Sequence, residues 1–191
     1  MQSVCVFCGS SSGSGGAFSA AADALGRAVA RRNLRLIYGG GHRGLMGTLA
    51  DAALAEGGEV VGVITRHLVD RELAHEGLTS LQIVEDMHSR KAAMAALSEG
   101  FVAMPGGFGT LEEILEVLSW SQLGLHPYPV AFLDVDAFWQ PLLQLFDRQV
   151  GTGFLPAESR KRLLSEENPE ILLDRMADAT PEIRDRRRDR P

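Results

Sequence analysis

Lysine is nearly missing from this chain: Lys91 and Lys161 are the only two among 191 residues, and cysteine is confined to Cys5 and Cys8. Basic charge is in deficit as well, with 19 Lys and Arg against 25 Asp and Glu and a formal net charge of -6. The summed field therefore disfavours nucleic acid or an anionic membrane as a partner. There is no long hydrophobic run. The apolar stretch near the start, Val4 to Phe7, is too short to span a bilayer or act as a signal peptide, and no basic segment precedes it, so a cytoplasmic location is expected. Cys5 and Cys8 form a CxxC, a spacing found in redox and metal sites. Residues three apart on a strand point to opposite faces, however, and neither a second CxxC nor an HExxH completes a four-ligand zinc site. Two buried thiols in a reducing compartment are expected, with no metal and no cofactor.

Apolar residues are plentiful. At 45% hydrophobic over 191 residues, the chain can bury one substantial core but is short for two domains. Short apolar runs alternate with longer helical patterns, the signature of βαβ units and a parallel sheet. The pattern predicts strands at Val4 to Phe7, Leu34 to Tyr38, Glu59 to Thr65, Leu81 to Val84, Phe101 to Met104 and Pro129 to Leu133. Helices are predicted at Ala17 to Arg32, Leu45 to Ala55, Met87 to Leu97, after Gly109, and at Phe138 to Val150, Arg160 to Leu164 and Pro169 to Met176. Arg66 to Thr79 reads as a loop with one helical turn. The folded domain is expected over residues 1–178, with 179–191 a charged, disordered tail of interleaved Arg and Asp.

Three glycine-rich loops each follow a predicted strand and precede a helix: Gly9 to Gly16, Gly39 to Gly47 and Gly106 to Gly109. In a parallel sheet all three fall at carboxyl ends of strands, where open α/β folds bind ligands. Gly39, Gly41 and Gly44 match GxGxxG, yet the next strand ends in Thr65-Arg66 and not in the acid that would hold a ribose hydroxyl. A dinucleotide-dependent oxidoreductase is disfavoured accordingly. Pro105-Gly106-Gly107-Phe108-Gly109-Thr110 is the most informative stretch. Its glycines let backbone approach a ligand closely, and the following helix aims free N–H groups at an anion. Glu112 and Glu113 lie in that helix, whose apolar positions Leu111, Ile114, Leu115 and Leu118 place both acids away from the buried face. Neighbouring helical positions differ by about 100°, so one of the two acids can face a ligand squarely, and periodicity does not say which. Arg90 and Lys91 sit mid-helix just upstream, where an arginine could bind phosphate bidentately or hold a carboxylate in place.

The pattern Pro105-Gly106-Gly107-Phe108-Gly109-Thr110-x-x-Glu113, with Arg90-Lys91 upstream and Tyr38-Gly39-Gly40-Gly41 followed by Gly44-Leu45-Met46-Gly47, resembles the LONELY GUY family. The similarity extends from about residue 3 to about residue 175. Its members are cytokinin riboside 5′-monophosphate phosphoribohydrolases, long mislabelled as lysine decarboxylases. The resemblance implies a Rossmann-like, doubly wound parallel sheet flanked by helices, in a homo-oligomer that is at least a dimer with the site near a subunit interface. It also implies hydrolysis of the N-glycosidic bond of AMP or an N6-modified (cytokinin-type) nucleoside 5′-monophosphate to free base and ribose 5-phosphate. Carried over by position, the catalytic pair is Arg90 and Glu113. Substrate contacts fall on Glu72, Arg90, Lys91, the loop Gly106, Gly107, Phe108, Gly109, Thr110, Leu111 and Glu112, and Ser119, with Gly9, Ser10, Gly40, Gly41 and Met46 from the other two loops. Phe108 stands where tyrosine is more usual and Ser119 where many relatives have threonine. The alternative is a non-catalytic nucleotide or molybdenum-cofactor carrier of the same fold, which would not need the Arg90 and Glu113 set. Decarboxylation needs an electron sink such as pyridoxal phosphate, and neither lysine sits in an evident Schiff-base setting.

Overall fold

The computed structural model describes residues 1–70 and 73–180 of the chain. Seven strands, β1 (Ser3–Phe7), β2 (Arg35–Tyr38), β3 (Val60–Thr65), β4 (Ser80–Val84), β5 (Phe101–Ala103), β6 (Val130–Leu133) and β7 (Leu163–Glu166), form one sheet in the order β4-β3-β2-β1-β5-β6-β7. Every pairing in it is parallel. The helices are α1 (Ala17–Arg31), α2 (Gly44–Ala55), the short α3 (Arg66–Val69), α4 (Met87–Ala96), α5 (Phe108–Gln122), α6 (Gln140–Gly151), α7 (Ala157–Lys161) and α8 (Pro169–Ala179). Strand order reverses between β1 and β5, so the carboxyl ends of these two strands flank the crevice where such sheets bind ligands.

The central strands are apolar along their length because both faces are covered. Val4, Val6, Leu36, Tyr38, Val60, Val102 and Met104 pack under α1, α2 and α8 with Leu25, Leu45, Leu49 and Leu172. Their neighbours Cys5, Phe7, Ile37, Val61, Val63, Phe101 and Ala103 point the other way, toward Met94 of α4, Ile114 and Val117 of α5, and Leu143 and Phe146 of α6. Cys5 and Cys8 are free and buried on opposite sides of the sheet, as period-two alternation requires.

One predicted helix is corrected. Arg160 to Leu164 does not continue as a helix: α7 stops at Lys161, and Leu163–Glu166 pairs with β6 from Val130↔Leu163 to Leu133↔Glu166. Pairing at the sheet edge buries Leu163 and Leu164 on opposite faces, a gain visible only once β6 is in place. The predicted helix at Phe138 begins instead at Gln140, after a tight turn in which Asp136 and Ala137 have φ of 52° and 58°. The expected tail from residue 181 onward lies outside the described residues, while Ala179 closes α8.

Candidate active site

Backbone hydrogen bonds gather the three glycine loops at the β1/β5 crevice. The Gly9 N–H donates to the Pro105 carbonyl at 3.1 Å, and the Leu45 N–H donates to the Gly9 carbonyl at 3.1 Å. Gly44 makes this approach possible. It has φ +62° and runs so close to the first loop that a Cβ there would lie 2.4 Å from the Ser10 carbonyl carbon. Ser10 is exposed and Gly9 half-buried at the rim. In the second loop, Met46 lies alongside Gly39 and Gly41, while the Gly40 carbonyl accepts from the His75 N–H at 2.9 Å.

The third loop opens α5. Its N-cap is Gly107, no side chain caps the first turn, and Gly107, Phe108 and Gly109 are exposed. The leading N–H groups and the positive end of the helix dipole thus face outward over the crevice. Thr110 is buried directly beneath Gly106. Phe108 stands almost free, 92% exposed, Leu111 is half-buried, and Glu112 is exposed.

Arg90 is delivered from below by α4, whose start is fixed by Asp86 accepting from the Ser89 N–H at 2.7 Å. Its guanidinium is buried and heavily committed: Nε donates to the Val63 carbonyl at 3.0 Å and Nη2 to the Gly39 carbonyl at 3.2 Å. Any side chain at residue 39 would obstruct it, since a Cβ there would lie 2.1 Å from Nη2. The remaining nitrogen, Nη1, lies 3.5 Å from Glu113 Oε1.

Glu113 is where structure and apolar periodicity part. The pattern put it on the outer face with Leu115 inside; instead Glu113 is 9% exposed among Thr110, Ile114 and Val117, and Leu115 is 41% exposed. Burial pushes its carboxyl up to about 7, against the pull of Arg90 and with a further push from Glu112. Such a group is poised to exchange a proton near neutral pH. Lys91, also buried, pairs with Glu112 and, at 3.1 Å, with Glu116 Oε2. Its bond to Glu112 leads in holding the ammonium protonated.

Of the other expected residues, Ser119 stands apart from this group. Ser119 lies six residues beyond Glu113 on α5, about 9 Å along the axis. It lines a separate cavity of about 610 Å³ with Leu115, Leu118, Leu123, His126 and Tyr128. Glu72 lies outside the described residues. Glu116 and the Val63 and Gly39 carbonyls were missed by sequence reasoning. For Glu116 the available signal was its i+4 spacing from Glu112; a backbone carbonyl leaves no trace in residue identity. Among the described residues there is no cluster of three or more His, Cys, Asp or Glu side chains able to hold a metal ion, and no helix long and apolar enough to cross a membrane.

Comparison with known proteins gives a family model described as "Possible lysine decarboxylase" that matches residues 46–176. The chain is 49% identical over 164 residues to a cytokinin riboside 5′-monophosphate phosphoribohydrolase of Rhodococcoides fascians, covering 85% of this chain and 83% of that protein. It is 46% identical over 173 residues to one from Arabidopsis thaliana, covering 91% and 76%. A probable enzyme of the same name from Oryza sativa subsp. japonica is 45% identical over 177 residues, covering 93% and 79%. Among solved structures, the molybdenum cofactor binding protein of Rippkaea orientalis superposes with a TM-score of 0.71 at 18% identity, covering 92% of this chain and 95% of that one. The Moco carrier protein of Chlamydomonas reinhardtii gives a TM-score of 0.70 at 16% identity, covering 93% and 96%. At these identities the two structural neighbours establish a shared fold and nothing finer.

Proposed function

We propose, for a chain that belongs to the family of cytokinin riboside 5′-monophosphate phosphoribohydrolases, that it hydrolyses the N-glycosidic bond of AMP or an N6-modified adenosine 5′-monophosphate. The carrying observation is the buried Arg90–Glu113 pair beside the uncapped N-terminus of α5. In this reading the Gly106 to Thr110 loop and the first-turn N–H groups hold the 5′-phosphate, with Gly9 and Ser10 at the opposite rim. That remote binding sets the ribose over Glu113. The ionised carboxyl stabilises positive charge developing at C1′ and accepts a proton from the attacking water. Water oxygen becomes bonded to C1′ and the C1′–N bond breaks with its electron pair going to the base nitrogen; the base takes up a proton from solvent while Glu113 gives its proton back to solvent, so one water is consumed in all. Arg90, anchored to two carbonyls, keeps Glu113 in place. The lysine-decarboxylase label has no matching amine: Lys91 is paired with two carboxylates, and Lys161 is a surface residue bonded to Glu158 at 2.9 Å.

Incubating purified protein with AMP and with isopentenyladenosine 5′-monophosphate should release free base and ribose 5-phosphate in equal amounts, read by chromatography. Nucleotide binding without release would support the carrier reading and sink the hydrolase.

The same reading includes a homodimer. The outer side of α5 and the loop after it leave Phe108, Leu115, Leu123 and Leu125 exposed, and such a patch is suited to cover by a second copy. A second copy would also give Ser119 a route to a site that it does not reach along its own helix. Replacing Leu123 and Leu125 together by Asp should turn a dimer into a monomer by light scattering, with the circular dichroism of the fold retained. An unchanged dimer mass would remove this face from consideration.

A further inference from the structure

Glu116 and Lys91 carry an inference that rests on the hydrolase reading above. α4 lies against β3 and β4, whereas α5 lies against β5 and β1, so the helices that supply Arg90 and Glu113 stand on different strands. Their mutual placement is set by the side chains between them. Arg90 Nη1 reaches Glu113 only at 3.5 Å, longer than a good charged hydrogen bond. Lys91, the next residue, supplies the closer ties, one to Glu112 and one to Glu116 at 3.1 Å. Positions 112 and 116 are one turn apart and flank Glu113, so a single ammonium grips the helix on both sides of it. A cation this buried resists separation from its partners. Two of its three donors are already taken.

We propose that Glu116 is a positioning residue for the hydrolysis: acting through Lys91, it holds the start of α5 against α4 so that the Glu113 carboxyl stays beside Arg90. Lys91 then serves the reaction through these carboxylates and not through contact with the substrate phosphate. Nothing in the loop motif singles out Glu116; the pairing with Lys91 does.

The test is a double-mutant cycle on the full chain, with AMP as substrate and ribose 5-phosphate as competitive inhibitor. Glu116→Gln should lower kcat about tenfold, while KM and the inhibition constant stay within about twofold. Glu116→Asp, which keeps the charge, should regain most of the loss, and Glu116→Ala, with the same tenfold loss expected, serves as the test variant if the Gln form does not fold. In a Lys91→Met background the Glu116 substitution should cost nothing further, because its partner is already gone. Unchanged kcat in folded Glu116→Gln, or losses that multiply in the double variant, overturns the proposal. So does a tenfold rise in the inhibition constant of Lys91→Met, which would make Lys91 a phosphate contact. Wild-type protein inactive on every nucleoside monophosphate would remove the hydrolase reading and this inference with it. An active wild type with any of the three contrary results removes the inference alone.

Discussion

Glu113→Gln is expected to lower turnover of AMP roughly a thousandfold, within the range that loss of a positioned acid–base group costs, while ribose 5-phosphate still binds. The amide fills the same space but cannot accept a proton or carry charge toward C1′. Stability should move the other way. In the folded protein the Glu113 carboxyl is raised to about 7, above the value of about 4.3 for an unfolded chain. A raised pKa means that the folded state binds the proton more tightly. The stabilisation from that proton is complete below the unfolded value and is lost as pH rises through the folded one. Glutamine has no such loss, so its stability relative to wild type should climb between about pH 4 and about pH 8 by on the order of 3 kcal/mol. Thermal melts of both proteins across that window read the effect. A difference that is flat with pH would mean that Glu113 titrates normally, and near-normal turnover would sink its catalytic role.

Arg90→Ala should abolish activity and also weaken the fold, which distinguishes it from the Glu113 variant. The substitution strips the Val63 and Gly39 carbonyls of their donors and leaves Glu113 buried without its counter-charge. Removing one partner of a buried pair costs about 3–5 kcal/mol, or roughly a 10 °C loss in Tm for a domain of this size. The deficit should be pH-dependent. Without Arg90 the Glu113 carboxyl rises further, so the variant compares worst with wild type above about pH 7, where wild type gains the ionised pair. Near about pH 5 Glu113 is neutral in both proteins, and only the lost carbonyl bonds separate them. A deficit that does not depend on pH would show that the pair carries no net charge interaction. Arg90→Lys should rescue little, because an ammonium cannot span the Val63 and Gly39 carbonyls and Glu113 in the manner of a planar guanidinium.

Much of the architecture was legible in residue order. Strands such as Val60 to Thr65 are apolar throughout, which requires cover on both faces and hence a parallel sheet between helix layers. Glycine clusters following three of those strands marked the loops that meet at one edge of the sheet. The 163–166 strand was not legible, since Arg160 to Leu164 has too few residues to distinguish a short helix from an edge strand, and only the presence of β6 decides between them. The burial of Glu113 was not legible either. Apolar spacing assigned the inner face of α5 to Leu115, which in fact faces outward.

By itself, then, the sequence determined that this chain makes a parallel sheet with three glycine-rich loops at one edge, and that an arginine, a lysine and two acids lie close by in chain order. Tertiary structure alone decided which acid turns inward. Residues 112 and 113 are about 100° apart on one helix, and no local pattern ranks them. The choice falls to α4, which lies on other strands and presents Arg90 to Glu113 and Lys91 to Glu112 and Glu116. A buried charge is tolerated only where its partner arrives, and that arrival depends on packing across the sheet and not on neighbours along the chain.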